Sequence, residues 1–369
     1  MLRHEITHFV EKYVKPYTNQ IEEKNEIPRE IIKKMGEYGY LGINVSRKYG
    51  GQQYSFGEIE IVNEEFGKAS SAVRSLLTVH GMVTMAVERW GSNECKEKYL
   101  SKLAKGELIA SFCLTEPLAG SDANSITTLA IEEEKQFKVT GKKKWITMAQ
   151  IADVFLVICK VRDRKTAFLI EKNNTTGILI NPINDLSGMK GSAIAEIEFN
   201  ECPVPKENMI GGIGFGMNQV ALSSLMYGRF TIAAGCVGMA EEALKLALDY
   251  SKDRRQFGEK LYKFQLIKKM ISECVIDIKA AKCLCSTVAQ EIDNNTPEAN
   301  INVFIAKYFC SKMVTRVVNN AIQILGANGL KKGNILEMYY RDIRVFEIIE
   351  GTSQIHEIII ANNELMKRR

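Results

Sequence analysis

Ala193-Ile-Ala-Glu-Ile-Glu-Phe-Asn-Glu201 (AIAEIEFNE) is the stretch on which the fold turns. Ala195, Ile197 and Phe199 alternate with Glu196, Glu198 and Asn200, the period of two that marks a strand with one buried face. Four β-rich runs precede it, QFKVTGKKKWITM, DVFLVICKV, TAFLIEK and GILINPI, parted by Gly, Asn and Asp turns. Five such runs over 111–215 predict a compact antiparallel barrel or sandwich. Outward from them the period becomes helical. Ile6, Phe9, Val10, Tyr13, Val14 and Tyr17 form an amphipathic stripe. IPREIIKKMGEYGYLG, with Pro28 near its start, is a second helix. SFGEIEIVNEEFGKAS and the mostly buried AVRSLLTVHGMVTMAVERWG are further ones. Beyond 215, Ile267, Met270, Ile271, Cys274, Val275, Ile278 and Ala281 give another helical stripe. The expected fold is α+β and multidomain: a helical domain over 1–110, a β domain over 111–215 and a helical bundle over 216–369.

With 369 residues the chain can bury a large core. Hydrophobic residues are 46% and charged residues 25%, ordinary for a soluble globular protein. Its 49 Lys and Arg exceed its 44 Asp and Glu by a net +5, spread along the chain. No basic run points to nucleic acid, and the excess is too small for an anionic membrane surface. The nine cysteines are scattered in apolar surroundings, as in a reduced protein. Cys283-x-Cys285 has no second pair at metal-ligand spacing, so no metal is expected. MLRHEITHFVEKY has neither a signal core nor a transit composition, and no apolar run approaches a membrane span. A cytoplasmic protein is the expectation.

Five stretches carry chemistry. In VFEIIEGTSQIH, Glu350 follows an apolar pair, Ile348 and Ile349, that looks buried, and precedes Gly351, a break in regular structure. A charge at a helix end explains it as well as a base in an apolar setting does. SFCLTEPLAGSDANS sets Thr115, Ser121 and the turn at Ala119-Gly120-Ser121 between helix and strand, where small donors can face an anionic or carbonyl-rich ligand. A plain Pro/Gly loop reads equally. KKKWITM adds Trp145, a flat ring able to cover a planar cofactor or to fill a core, with Thr147 beside it. DRRQFGEKLYKFQ places Arg254 and Arg255 before Phe257, with Gln265 further on; adjacent arginines suit a phosphate or a solvated helix end. QILGANGL offers Gln323 and two glycines that admit close backbone approach or cap a helix.

In order and spacing, LTEP-AGSD, WIT, F-ECPVP-EN, R-QFG-----FQ, QILGANG and EGTSQI resemble the flavin-dependent acyl-CoA dehydrogenase family, essentially end to end. The resemblance implies an N-terminal helical domain, a middle β domain and a C-terminal four-helix bundle, with FAD between the last two. It implies that Phe112, Leu114 and Thr115 line the flavin, that Gly120 and Ser121 meet its pyrophosphate, and that Trp145 and Thr147 flank its ring system. Arg254, Phe257, Gln265, Gln323 and Gly326 would reach the FAD of a neighbouring subunit, in a homodimer or homotetramer, and Thr352 and Gln354 would also touch FAD. Glu350 matches the catalytic base. Some members carry that base on an upstream helix, at a position that is about Gly228 here. Substrate contacts would come from Ser121, Arg229 and Gly351, and electrons would pass to an electron-transfer flavoprotein or another acceptor.

Departures bear on the substrate. An Asp that contacts acyl-CoA in many members is Met226 here, the Asn-Gly after WIT is Met148-Ala149, and QILGGNG has become QILGANG. RSLLTVHGMV, Arg74 to Val83, resembles a subgroup of polyketide and nonribosomal peptide pathways. That subgroup acts on short, hydroxylated or amino-substituted acyl groups on acyl carrier protein, including steps toward malonyl-type units. The resulting expectation is an FAD-dependent dehydrogenase of a short acyl thioester on acyl carrier protein or CoA. The alternatives are an ordinary short- or medium-chain acyl-CoA dehydrogenase of fatty or amino acid catabolism, an oxidase of the same fold, or a non-catalytic helical scaffold.

Overall fold

The computed structural model describes residues 1–367. Its N-terminal part is six helices: α1 (Leu2–Tyr13), α2 (Thr18–Lys24), α3 (Arg29–Glu37), α4 (Phe56–Gly67), α5 (Ser71–Trp90) and α6 (Asn93–Ala104). The stripe of α1 buries Ile6, Phe9, Val10 and Val14 as its spacing predicts. Ser55 caps α4 with a capping box to Glu58, which satisfies two otherwise orphaned amides. From Ser71 to Thr84 every residue of α5 is buried.

Eight strands follow: β1 (Ala110–Cys113), β2 (Leu129–Glu132), β3 (Gln136–Ile146), β4 (Val154–Val161), β5 (Arg164–Glu171), β6 (Ile178–Pro182), β7 (Ala195–Pro205) and β8 (Met209–Ile210). They form one sheet in the order β6-β7-β3-β2-β4-β5-β8, with β1 beside β4. In β7, Ala195, Ile197 and Phe199 are buried, as the alternation requires. The sheet departs from a purely antiparallel one, because β1 and β2 both pair with β4 in parallel. Parallel neighbours need a long crossover. The β2–β3 hairpin and the loop before it supply one, so β4 re-enters the sheet running the same way as β1. The β3–β7 register slips between Lys143 and Ile146, where Trp145 has φ +61°. That bulge sends Lys143 inward and Trp145 outward, although strict alternation would put both on one face.

The C-terminal part is α7 (Leu222–Asp253), a short hairpin of β9 (Arg255–Gln256) and β10 (Glu259–Lys260), then α8 (Gln265–Asp293), α9 (Ala299–Leu325), α10 (Ile335–Phe346) and α11 (Ser353–Lys367). At the centre, α7 packs on α9, α4, α5 and α8, so the first and last thirds share one core. With the π-helical turn before it, α7 contains a window long and apolar enough to cross a membrane, contrary to the sequence expectation; 78% of that window is buried inside the bundle. Its neighbouring helices account for the apolarity. In the α8 stripe, Cys274, Ile278 and Ala281 are buried but Val275 is 48% exposed, one step off the packed face. Eight of the nine cysteines are buried, and Cys283 is exposed.

Candidate active site

Six residues, 347–352, join α10 to α11. Glu350 (φ +56°) and Gly351 (φ +94°) lie consecutively in the left-handed region, which costs a non-glycine residue about 1–2 kcal/mol. Side chains hold the turn through its carbonyls. Arg229 Nε donates to Glu350 O at 3.0 Å, and His356 Nε2 faces the same oxygen at 3.2 Å. Lys307 Nζ donates to Gly351 O at 2.8 Å, and the Ser353 amide closes back onto Glu347 O. Ile348, expected to be buried, is 50% exposed, because the turn swings it outward while Glu350 goes in.

The Glu350 carboxylate rests against α7 at Gly228. A Cβ placed there would lie 2.8 Å from Cδ and Oε2 of Glu350 and 3.0 Å from Met82 Sδ. Oε2 is sealed from solvent and has no hydrogen-bond partner among the described residues. Burial pushes the carboxyl up to about 7, against the pull of Arg229, Lys307 and Arg74. The Glu350 N–H has no acceptor among the described residues, so it is free to meet a carbonyl oxygen. The alternative base position, Gly228, thus faces the same point in space but carries no side chain.

Two cations near this carboxylate escaped the sequence reading, and a third, Arg229, was expected among the substrate contacts and lies beside it. Arg229 is 7% exposed; its guanidinium stacks over Phe304 at 4.1 Å and holds the base turn. Arg74, 2% exposed, donates from Nη1 to Thr78 Oγ1 at 2.9 Å and Thr231 O at 3.5 Å, while its Nη2 has no partner among the described residues. It crosses α7 at Gly235, where a Cβ would lie 2.3 Å from Arg74 Cδ. Gly228, Thr231 and Gly235 share one face of α7 at steps of three and four. Base and guanidinium therefore lie along one wall. The available signal was a lone charge inside the apolar AVRSLLTVHG; Lys307, within FIAKYFC, was equally visible and equally ordinary.

The loop between β1 and β2 is fastened by a buried pair. Glu116 accepts from the amides and hydroxyls of Thr127 and Thr128, and from Lys143 Nζ at 2.8 Å. Although burial opposes ionisation, these partners bring its carboxyl down to about 2. Lys143 also donates to Leu114 O, and Lys144 N to Thr115 O. Ser111 Oγ donates to Thr147 O. Phe112, Leu114, Thr115, Trp145 and Thr147 are thereby brought together where β1 and the segment after it meet the end of β3. Trp145 is 54% exposed, not a core ring. Gly120 and Ser121 are exposed, and a Cβ at Gly120 would have nothing within 4 Å.

The other expected cofactor residues form a second group. Arg254, Phe257, Gln265, Gln323 and Gly326 are exposed at the α7–β9–β10 corner, the start of α8 and the end of α9. Asn328 Nδ2 to Tyr250 Oη, 2.9 Å, ties the α9 end to that corner. No hydrogen bond joins this group to the β-domain set among the described residues. Thr352 caps the first turn of α11 and Gln354 is exposed beside it. The residues fit a flavin dinucleotide: a solvent-facing indole, an open glycine turn for a phosphate, and a dry unpaired carboxylate. Among the described residues, no three His, Cys, Asp or Glu side chains gather as a metal site would need.

Three family models match the chain: the acyl-CoA dehydrogenase N-terminal domain over 1–107, the middle domain over 111–202 and the C-terminal domain over 214–365. A glutaryl-CoA dehydrogenase of Desulfococcus multivorans is 33% identical, over 100% of this chain and 97% of its own length. The caffeyl-CoA reductase-Etf complex subunit CarC of Acetobacterium woodii is 32% identical, over 95% and 93%. Among solved structures, PigA with FAD and proline superposes with TM-score 0.94 at 27% identity, covering 99% and 97%. The prolyl acyl carrier protein oxidase AnaB does so with TM-score 0.93 at 28% identity, covering 98% and 97%.

Proposed function

The chain belongs to the acyl-CoA dehydrogenase family, FAD-dependent oxidoreductases acting on CH–CH bonds, and from there we propose that it oxidises a short acyl thioester with Glu350 as the base. The observation that carries this is Glu350 Oε2: buried, without a partner, over a glycine. A carboxylate that no donor stabilises is a stronger base, and one that gives up its proton near pH 7 suits the weakly acidic proton α to a thioester carbonyl. The free Glu350 amide polarises that carbonyl, so proton removal and charge stabilisation come from one residue. Arg229 and Lys307 fix the turn that sets both. Bound FAD supplies the acceptor for the hydride leaving the β carbon. Phe112, Leu114, Thr115, Trp145 and Thr147 hold its ring system, Gly120 and Ser121 its phosphates, and the Arg254 group serves a neighbouring subunit of a homodimer or homotetramer.

For the acyl group, Arg74 supports a short chain with an anionic or strongly polar substituent. A buried guanidinium with an unpaired Nη2 on the same wall as the base gains most from such a group. For the carrier, Met226 in place of the acyl-CoA-contacting Asp, together with the likeness to AnaB, favours acyl carrier protein. The higher identity to a CoA-thioester dehydrogenase supports the second reading, a short-chain enzyme acting on CoA. An electron-transfer flavoprotein is the proposed acceptor and the cytoplasm the proposed location. Anaerobic bleaching of the bound flavin by matched acyl groups on carrier protein and on CoA tests the choice. Reduction by carrier thioesters with little by CoA thioesters is the expected result; efficient bleaching by butyryl-CoA overturns the carrier reading.

A further inference from the structure

Lys307, on α9, is fully buried, and its Nζ makes one hydrogen bond, to Gly351 O at 2.8 Å. Among the described residues no carboxylate pairs with it: Glu347, the other acid of the connection, is taken by Lys312 at 2.5 Å and Arg344 at 3.2 Å. A buried ammonium without a counter-ion is costly. The object it faces is the base turn. Resting on the reading of Glu350 as the base, we propose that Lys307 is a positioning residue, pinning the left-handed Glu350–Gly351 turn by its carbonyl and supplying a charge that favours the ionised base.

The surroundings isolate this charge. From α7, Arg229 and Cys236 face Lys307; from the turn, Glu350 and Glu347; from α11, His356, whose ring lies between Phe304 O and Glu350 O. Arg74 faces Glu350 from α5. Burial holds His356 neutral, at about 4, keeps the Cys236 thiol protonated, at about 12, and leaves Arg229 charged below about 10. Glu347 is ion-paired. Between pH 6 and 9 the groups here that change charge are thus Glu350, at about 7, and Lys307, brought down to about 8 by burial against the pull of Glu350. Flavin reduction then rises as Glu350 ionises and falls as Lys307 loses its proton.

The test is the pH dependence of anaerobic flavin reduction in wild type, Lys307→Met and Lys307→Arg holoenzymes, using whichever of the butyryl and glutaryl thioesters, on CoA or acyl carrier protein, reduces the wild type fastest. Wild type should give a bell. Lys307→Met should fall on the order of 10²-fold, from a misplaced base. It should also lose the alkaline limb and move the acid limb to higher pH. Lys307→Arg should keep the acid limb and carry the alkaline limb beyond pH 9, since guanidinium stays protonated. A Lys307→Met enzyme slowed equally at every pH, with both limbs in place, overturns the proposal. If that variant does not take up FAD, an alkaline limb unmoved in Lys307→Arg overturns it instead. Glu350→Gln in the same assay separates the premises: bleaching that persists there removes the base itself, whereas bleaching lost there with limbs unmoved at Lys307 removes only the positioning role.

Discussion

Two glutamates in this chain, Glu116 buried whole and Glu350 half-buried with its Oε2 sealed, lie near buried lysines and end in opposite states. Glu116, 4% exposed, receives four hydrogen bonds from Thr127 and Thr128 and an ion pair from Lys143, and its carboxyl is brought down to about 2. Glu350 has Lys307 and Arg229 nearby, but both donate to main-chain carbonyls, leaving Oε2 bare and the carboxyl pushed up to about 7. What separates them is where the donors point. A satisfied buried carboxylate fastens a loop; an unsatisfied one is available for chemistry.

The largest expected effect is on turnover. Glu350→Gln should retain FAD, measured by absorbance, and lose about 10²–10⁴-fold or more in the rate of anaerobic bleaching. Glu116→Ala should instead strip a counter-ion from Lys143 and cost about 3–5 kcal/mol, read as a lower denaturant midpoint together with weaker FAD retention. Gly228→Ala comes next: its methyl group would meet the Glu350 carboxylate at 2.8 Å, so reduction should slow by about 10²-fold with the fold retained. The smallest effect sharpens the contrast by sign. Glu350 binds its proton more tightly folded than unfolded, so its relative contribution to stability is present below the ordinary carboxylate range and lost as pH rises through about 7. At pH 8, Glu350→Gln should therefore stabilise the protein, by about 1–3 kcal/mol, in thermal unfolding. Glu116 has the reverse sign: its contribution is present above the ordinary range and lost as pH falls toward 2. Glu116→Gln should therefore destabilise at pH 8.

Much of the architecture was legible because burial writes periodicity. Ala195, Ile197 and Phe199 marked a strand, and the apolar AVRSLLTVHG marked a buried helix. The helices α2 and α6 were missed because they are short and largely polar, so their stripes are weak. The parallel pairing of β1 and β2 with β4 is a property of the crossover, to which no local period responds. Ile348 misled because apolar character does not reveal which way a left-handed turn points. At the candidate site, Glu350 and the loop and turn residues were named only through the family resemblance that their motifs carry. Arg74 and Lys307 were not: on a helix, a lone cation ordinarily belongs to a solvated face, and only packing reveals that these two are sealed inside.

The contrast between the two glutamates rests on Glu350 being a carboxylate without donors. The most direct measurement is the acid limb of the pH dependence of single-turnover flavin reduction in the wild-type holoenzyme, with a thioester that does not itself titrate. A limb at about pH 7 is the predicted result. A limb in the ordinary glutamate range, near 4.5, would mean that Glu350 is solvated or hydrogen-bonded like any surface acid, and would contradict the account.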